Sequence, residues 1–168
     1  MSAPIGQDQS GTERFENERD LGFSRVLNAP AAVLFSCWTT PEHLKAWFVP
    51  KPNRVTHCDL DPRAGGKCNT TFDVGGTVME NNGVYLEVVQ DKKIVFTDAY
   101  TEGWLPNPTP FMTAIVTFED LGDGTTRYSA TARHLTGEAK VQHRDMGFFD
   151  GWGAVADQLE DYAQSLSR

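Results

Sequence analysis

Asp98 and His134 are the side chains whose positions in the sequence could support acid–base chemistry. Asp98 shares one face of a predicted strand with Ile94, Phe96 and Tyr100, and a carboxyl group among apolar side chains can have a raised pKa and serve as an acid or a base. His134 is in register with Tyr128 on the apolar face of a predicted strand, where it would need a substrate proton within hydrogen-bond reach to act as a general base. The structural alternatives are a hydrogen-bonded carboxylate and a histidine satisfied inside the core. We therefore treat the pair as a hypothesis for catalysis and favour a protein that is not an enzyme.

Other catalytic and metal-binding patterns do not occur in the sequence. Its histidines have no H-x-x-x-H spacing and its three cysteines form no C-x-x-C pair, so a metal site is not predicted. No G-x-S-x-G motif marks a nucleophilic serine, and the glycine pairs fall at predicted hairpins and not before a helix, where they would hold a phosphate. The sequence therefore predicts neither a metal nor a cofactor.

Aromatic residues make up 11% of the chain, and their flat rings provide large contact areas for an apolar ligand. We predict that they line a cavity between a sheet and the last helix, although each ring could instead fill the core. The candidate ligand-binding residues are Trp47, Phe48, Phe72, Phe96, Tyr100, Trp104, Met112, His134, Phe149 and Trp152. Trp104 opens a loop in which alternate prolines remove N–H donors, so this loop is either a stiff lid over the cavity or a rigid connection between strands.

The elements that would position these residues follow from the spacing of apolar side chains. Arg19–Leu27 alternates as a strand does, and two short helices follow, with Pro30 and Pro41 at their starts. The apolar period then changes to two. The further predicted strands are Arg54–Leu60, Lys67–Val74, Thr77–Val89, Lys92–Tyr100, Phe111–Glu119 and Thr125–His134. Short turns separate them, which predicts an antiparallel sheet with one apolar face.

The last element has the period of a helix. Between Glu138 and Leu166, apolar residues repeat every three or four positions, which indicates one long helix lying on the sheet. Glycine is unfavourable inside a helix, yet Gly147, Gly151 and Gly153 all fall within its first half. Either a ligand or another backbone approaches closely there, or the helix is irregular at that point.

Length and composition limit the class of protein. Of the 168 residues, residues 19–168 are predicted to form one domain, after a polar and disordered tail at residues 1–18. A formal net charge of −8 argues against a nucleic-acid partner, because phosphate binding needs clustered lysine and arginine. No apolar run has the length of a membrane span, and the polar start and the odd number of cysteines are typical of a reduced, cytoplasmic protein.

Several short segments, taken in order, match a known pattern. They are Asn28-Ala29-Pro30, Trp38-Thr39-Thr40-Pro41-Glu42-His43-Leu44, Trp47-Phe48, Leu60-Asp61-Pro62-Arg63-Ala64-Gly65-Gly66, Gly83-Val84-Tyr85, Phe96-Thr97-Asp98-Ala99-Tyr100 and Gly151-Trp152. Through them, residues 19–166 resemble the START-like helix-grip superfamily, also called SRPBCC, and within it the branch of activators of heat-shock-protein-90 ATPase. The resemblance implies an α+β, birch-pollen-allergen-like fold, in which a curved antiparallel sheet of about six to seven strands surrounds a long C-terminal helix, with a cavity between them.

The superfamily has many roles, so the resemblance defines function less closely than fold. It includes lipid carriers, polyketide cyclases, hormone receptors and chaperone partners. Together with the aromatic and glycine pattern of the last helix, it favours a protein that binds a small apolar molecule. The alternatives are a module that interacts with a chaperone and a cyclase- or hydrolase-type enzyme that uses Asp98 or His134. The oligomeric state is not decided by the sequence, and a homodimer is compatible with it.

Overall fold

The structure is a computed structural model and describes residues 3–7 and 11–166. Along the chain the strands are β1 (Ala3–Gln7), β2 (Glu13–Glu16), β3 (Asp20–Leu27), β4 (Arg54–Leu60), β5 (Lys67–Val74), β6 (Thr77–Val89), β7 (Lys93–Thr97), β8 (Tyr100–Thr101), β9 (Leu105–Pro106), β10 (Thr113–Asp120) and β11 (Thr126–Arg133). The helices are α1 (Ala31–Thr39), α2 (Pro41–Trp47), α3 (Gly137–Asp145) and α4 (Phe148–Leu166).

The main sheet has the order β1-β2-β3-β11-β10-β7-β6-β5-β4, and its neighbouring strands pair antiparallel. With the long helix α4 at the C-terminal end, this architecture confirms the predicted α+β helix-grip fold. Within the described residues the sheet has nine strands, whereas the expectation was about six to seven. The two short helices follow β3, which is the third strand and not the first.

The additional strands β1 and β2 lie in the segment predicted to be a disordered tail, residues 1–18. In β2, Phe15 pairs with Gly22 of β3 through the backbone. The mostly charged sequence of β2 does not predict this pairing. The strand is held by main-chain hydrogen bonds, which do not require an alternation of apolar side chains in the sequence. Residues 1, 2 and 8–10 of the predicted tail, and residues 167 and 168 of the predicted domain, lie outside the described residues.

The middle of the sheet confirms the predicted alternation of side chains. In β11, Tyr128, Ala130 and Ala132 are buried, and the residues between them are less so. Their cross-strand partners in β10 include Phe118 and Val116, which are also buried. Successive strand residues point to opposite sides of a sheet, so these buried residues share one face. That face belongs to the same hydrophobic core as the buried residues of α4.

The strand predicted over Lys92–Tyr100 ends earlier in the structure. The Thr97 hydroxyl donates to the Met112 carbonyl at 3.2 Å and accepts the Ala99 N–H at 3.1 Å, so the chain turns out of the sheet after Thr97. Tyr100 therefore lies in β8, which pairs with β9 as a separate two-stranded ribbon. It does not share a strand face with Phe96.

The single helix predicted over 138–166 is divided into α3 and α4. Thr136 caps the start of α3 by accepting the Ala139 N–H at 3.1 Å. At the junction, Gly147 has φ +97°, a left-handed conformation that glycine adopts at little cost. The alternative of an irregular helix is therefore the right one at Gly147, whereas Gly151 and Gly153 lie inside α4.

Helices α1, α2 and α4 pack together against the sheet. Trp38 of α1 and Trp47 of α2 place their ring centroids 5.1 Å apart in an edge-to-face contact. Gln158 of α4 donates to the carbonyls of Trp47 and Val49 at 2.9 and 2.8 Å, which fastens α4 to the end of α2. None of the described helices is both long and apolar enough to cross a membrane.

Candidate functional site

A cavity of about 660 Å³ lies between strands β4–β7 and the helices, and we call it the helix–sheet cavity. Its sheet side is lined by Leu60, Cys68, Thr70, Phe72, Met79, Tyr85 and Phe96, among others. Its helix side is lined mainly by Trp38, Leu44, Phe48, Phe148, Gly151, Trp152 and Val155. The volume lies within the range of small-molecule sites, roughly 300–1,000 Å³, and the walls are largely apolar, as is typical of such sites.

One end of the cavity is open to solvent. Val74, Met79, Phe111 and Met146 line it and are 37, 46, 42 and 74% exposed. We call these four side chains the rim of the cavity, and exposed apolar surface at the edge of a cavity often marks a ligand-binding groove. This rim gives a small apolar molecule a route into the interior.

The inner wall is a cluster of aromatic rings centred on Trp38. The ring of Trp38 lies 5.2 Å from that of Phe48, 5.7 Å from that of Phe96 and 6.4 Å from that of Trp152, to which it is nearly parallel. The indole N–H of Trp38 donates to the hydroxyl of Tyr128 at 3.2 Å, so the polar edge of this ring is satisfied inside the core. The wall is therefore preorganised by ring packing and presents apolar faces to the cavity.

Five of the predicted ligand-binding residues line the helix–sheet cavity: Phe48, Phe72, Phe96, Met112 and Trp152. The remaining five do not line it: Trp47, Tyr100, Trp104, His134 and Phe149. Asp98, the other candidate for acid–base chemistry, does line it.

Trp47 and Phe149 are held elsewhere in the fold. Trp47 is 1% exposed, and its indole N–H donates to the Cys37 carbonyl at 3.1 Å, so it is a core residue. The ring of Phe149 is partly buried against the core and lies beneath the guanidinium of Arg14, 5.0 Å from its centroid. For both rings, helical spacing alone did not distinguish the cavity face from the neighbouring faces.

Tyr100 and Trp104 pack against each other outside the cavity, with ring centroids 5.9 Å apart. The Trp104 side chain is 53% exposed and covers the turn at Gly65, where an added Cβ would come within 3.2 Å of its ring. The proline-containing loop therefore braces the β8–β9 ribbon, and Trp104 is not a plug for the helix–sheet cavity.

Asp98 fastens the other end of that loop. Its Oδ1 accepts the N–H groups of Phe111 and Met112 at 2.8 and 3.1 Å, and its Oδ2 accepts the Phe111 N–H at 2.9 Å. Asn107 donates to the Asp98 carbonyl at 2.8 Å. The carboxylate is thus engaged with the backbone, which matches the structural alternative considered for it.

His134 is joined to a second histidine that sequence reasoning did not select. Nδ1 of His134 lies 2.8 Å from the Arg19 carbonyl oxygen, and its Nε2 lies 2.8 Å from Nδ1 of His143. His134 is 3% exposed and lies behind the cavity wall, whereas His143, 7% exposed, lines the cavity. Burial, with a further contribution from His134, lowers the pKa of His143 to about 4, so its imidazole is neutral at physiological pH.

Burial also keeps a thiol and a phenol group of the wall neutral. It raises the pKa of the Cys68 thiol to about 12, and it raises the pKa of the Tyr85 hydroxyl, to which Cys68 is hydrogen-bonded. None of the described residues that line the cavity is a lysine or an arginine. Among the described residues, no group of three or more His, Cys, Asp or Glu side chains could hold a metal ion.

Several lining residues were missed by sequence reasoning, and some carried a usable signal. Trp38 and Tyr85 stand in segments that carried the family resemblance, and Phe111 directly precedes Met112. His143 carried no such signal, because its contact with His134 joins α3 to the end of β11 and no residue spacing predicts it.

Comparisons with known proteins agree with this architecture. A family model described as Activator of Hsp90 ATPase homolog 1-like protein matches residues 28–164. No curated protein sequence matches the chain. Among solved structures, protein NE0264 from Nitrosomonas europaea is 35% identical with a TM-score of 0.86, and the match covers 90% of this chain and 98% of that one.

Two more distant structures share the fold alone. Protein Ms6760 from Mycobacterium smegmatis is 22% identical with a TM-score of 0.73, over 96% of both chains. An AHSA1-like protein from Aeromonas hydrophila is 14% identical with a TM-score of 0.64, over 87% of this chain and 94% of that one.

Proposed function

The chain belongs to the Activator of Hsp90 ATPase homolog 1-like family, and we propose that it is a non-enzymatic binding protein that holds a small, largely apolar molecule in the helix–sheet cavity. The observation that carries this proposal is the chemistry of the lining. Aromatic and aliphatic side chains form most of it, and the thiol, phenol and imidazole groups among them are neutral at physiological pH. We place this activity in the cytoplasm.

The engagement of Asp98 and His134 supports binding over catalysis. Asp98 accepts N–H groups from the backbone, and His134 is enclosed between the Arg19 carbonyl and His143. A general base needs a substrate proton within reach, and both side chains are already engaged with groups of the protein.

A neutral fluorescent probe, N-phenyl-1-naphthylamine, tests the proposal. Because Trp38 and Trp152 line the cavity, we expect a bound probe to quench tryptophan emission, to gain fluorescence itself and to raise the melting temperature.

A matched pair of variants locates the binding. Gly151 lines the cavity and Gly153 does not, while an added Cβ at either position meets no atom within 4 Å. Gly151→Phe should fill the cavity and weaken probe binding at least about tenfold, and Gly153→Phe should not. Absence of binding to the unmodified protein, or equal losses in the two variants, would contradict the proposal.

The family description provides a second candidate, a module that acts on the Hsp90 chaperone. The exposed apolar rim at Phe111 and Met146 is the surface that favours it. In that case, saturating protein should change the ATPase rate of Hsp90, and Met146→Glu should abolish the change. An unchanged rate would remove this candidate and leave the binding proposal intact.

A further inference from the structure

The hydrogen-bond pattern of His134 and His143 defines which nitrogen atoms carry hydrogen. A carbonyl oxygen only accepts, so Nδ1 of His134 donates to the Arg19 carbonyl. When both imidazoles are neutral, the other nitrogen of His134 is an acceptor, so Nε2 of His134 receives its hydrogen from Nδ1 of His143. By the same rule, Nε2 of His143 carries no hydrogen and is left as an acceptor.

This last acceptor has no partner within the described part of the chain. His143 lies between Phe111 and Phe148, with ring centroids 4.5 and 5.1 Å away, and it lines the helix–sheet cavity. These apolar rings offer no N–H or O–H group to it. A ligand that covers this acceptor without supplying a donor leaves it unpaired at a cost of about 1–3 kcal/mol, so a ligand that supplies a donor gains affinity at this point.

The charges around the cavity determine the kind of donor. The described lining has no cationic side chain, and its one carboxylate is that of Asp98. An anionic ligand would lose its hydration without gaining a counter-ion, which is costly in an apolar site. A neutral hydroxyl group can donate to Nε2 of His143. It needs no counter-ion and loses less hydration than an anion does.

From this arrangement we propose that the ligand is a neutral apolar molecule bearing a hydroxyl group, and that this hydroxyl donates a hydrogen bond to Nε2 of His143. The inference rests on the proposed function and names the ligand class of the same site. His143 is the residue that contacts the ligand. His134 is a positioning residue, because it holds His143 in the tautomer that leaves Nε2 free.

Three pyrene derivatives with one apolar body test the ligand class: 1-hydroxypyrene, 1-methoxypyrene and pyrene-1-carboxylate. The methoxy compound has no donor and the carboxylate is charged. We expect the hydroxy compound to bind about three- to tenfold more tightly than the methoxy compound at pH 7, with the carboxylate weakest, when affinities are measured by tryptophan quenching. Equal binding of the hydroxy and methoxy compounds overturns the inference and leaves the proposed function standing, whereas no binding of any of them overturns both.

Variants assign the preference to this histidine. His143→Phe keeps an aromatic ring but removes the acceptor, so the hydroxy and methoxy compounds should bind equally. His143→Gln supplies an amide oxygen and should recover part of the preference. His57, exposed on β4, provides the control, and His57→Phe should retain the full preference. A preference that persists in His143→Phe overturns the inference.

The tautomers can be observed directly in the unliganded protein by ¹⁵N NMR of labelled histidine. His134 and His143 should both carry hydrogen on Nδ1. In His134→Phe, the His143 ring should no longer be held in the Nδ1–H tautomer, and the preference for 1-hydroxypyrene over 1-methoxypyrene should disappear. An Nε2–H tautomer of His143 in the unmodified protein overturns the inference without reference to any ligand.

Discussion

The carboxylate of Asp98 accepts the backbone N–H of Met112 at 3.1 Å, and this bond holds the segment that enters β10 against the end of β7. A second N–H, that of Phe111, is bound by both carboxylate oxygens. Met112 lines the helix–sheet cavity, and Phe111 stands at its rim. Asp98 therefore shapes the cavity through the backbone.

Replacement of Asp98 should consequently lower stability. Asp98→Ala leaves the N–H groups of Phe111 and Met112 without their acceptor, and we expect the free energy of unfolding to fall by about 1–3 kcal/mol. Asp98→Asn keeps one acceptor oxygen and should lose less. Urea unfolding measures both effects, and unchanged stability of Asp98→Ala would show that these bonds contribute nothing.

Asp20 and Arg133 should make the protein sensitive to acid. Arg133 donates to both oxygens of Asp20 at 2.9 Å, and this pairing holds the pKa of Asp20 below its usual value of about 4. The unfolded chain then binds a proton at a higher pH than the folded one, so stability is present above about pH 4 and is lost as the pH falls through the folded-state pKa. Asp20→Asn should cost about 1–2 kcal/mol at pH 7 and less at pH 2.5. Asp161, exposed on α4, provides the control, and Asp161→Asn should show no such pH dependence.

His143 should make stability depend on pH in a range above that of Asp20. Its pKa is lowered to about 4 by burial, whereas in the unfolded chain it is about 6.5. Between these values the unfolded chain binds the proton and the folded one does not, so stability decreases as the pH falls from about 6.5 to about 4, by up to about 3 kcal/mol. His143→Phe should flatten this part of the stability profile. A slope unchanged by the substitution would assign it to another group.

Sequence patterns predicted those elements in which one face of a strand or helix is buried. The alternation in β11, with Tyr128, Ala130 and Ala132 inward, is of this kind, as is the apolar stripe of α4. β2 could not be found in this way, because its pairing with β3 depends on the backbone and not on its mostly charged side chains. The glycines of the last helix were noticed, but the sequence could not show that Gly147 is the one that breaks it.

The candidate site was predictable to the extent that apolar character defines it. Phe96 and Trp152 line the cavity as expected, because the apolar face of the sheet and the apolar stripe of the helix point toward each other. Trp104 was misplaced, because the chain leaves the sheet at a turn made by the Thr97 hydroxyl. The bond between His134 and His143 depends on the angle between α3 and the sheet, and a sequence carries no pattern for a single contact of that kind.

Two glycines should respond in opposite directions to the same substitution. At Gly83, an added Cβ would lie 2.2 Å from the Thr97 carbonyl oxygen, so Gly83→Ala must separate β6 from β7 and should cost about 1–3 kcal/mol. At Gly153, inside α4, the added Cβ meets no atom within 4 Å, so Gly153→Ala should stabilise by about 0.5–1 kcal/mol through helix propensity. Thermal unfolding of the two variants measures both effects, and a shift of the same sign in both would contradict the prediction.

The cysteines provide a chemical probe of the cavity. Burial raises the pKa of Cys68 to about 12 and that of Cys58 to about 11, and because the thiolate is the reactive form, both should react slowly with iodoacetamide at pH 8 and about tenfold faster per pH unit above it. Cys68 lines the helix–sheet cavity and Cys58 does not. Bound N-phenyl-1-naphthylamine should therefore slow the modification of Cys68 while that of Cys58 continues, as followed by peptide mass spectrometry at pH 9. Equal protection of the two thiols would mean that the probe stabilises the whole fold and does not occupy the space beside Cys68.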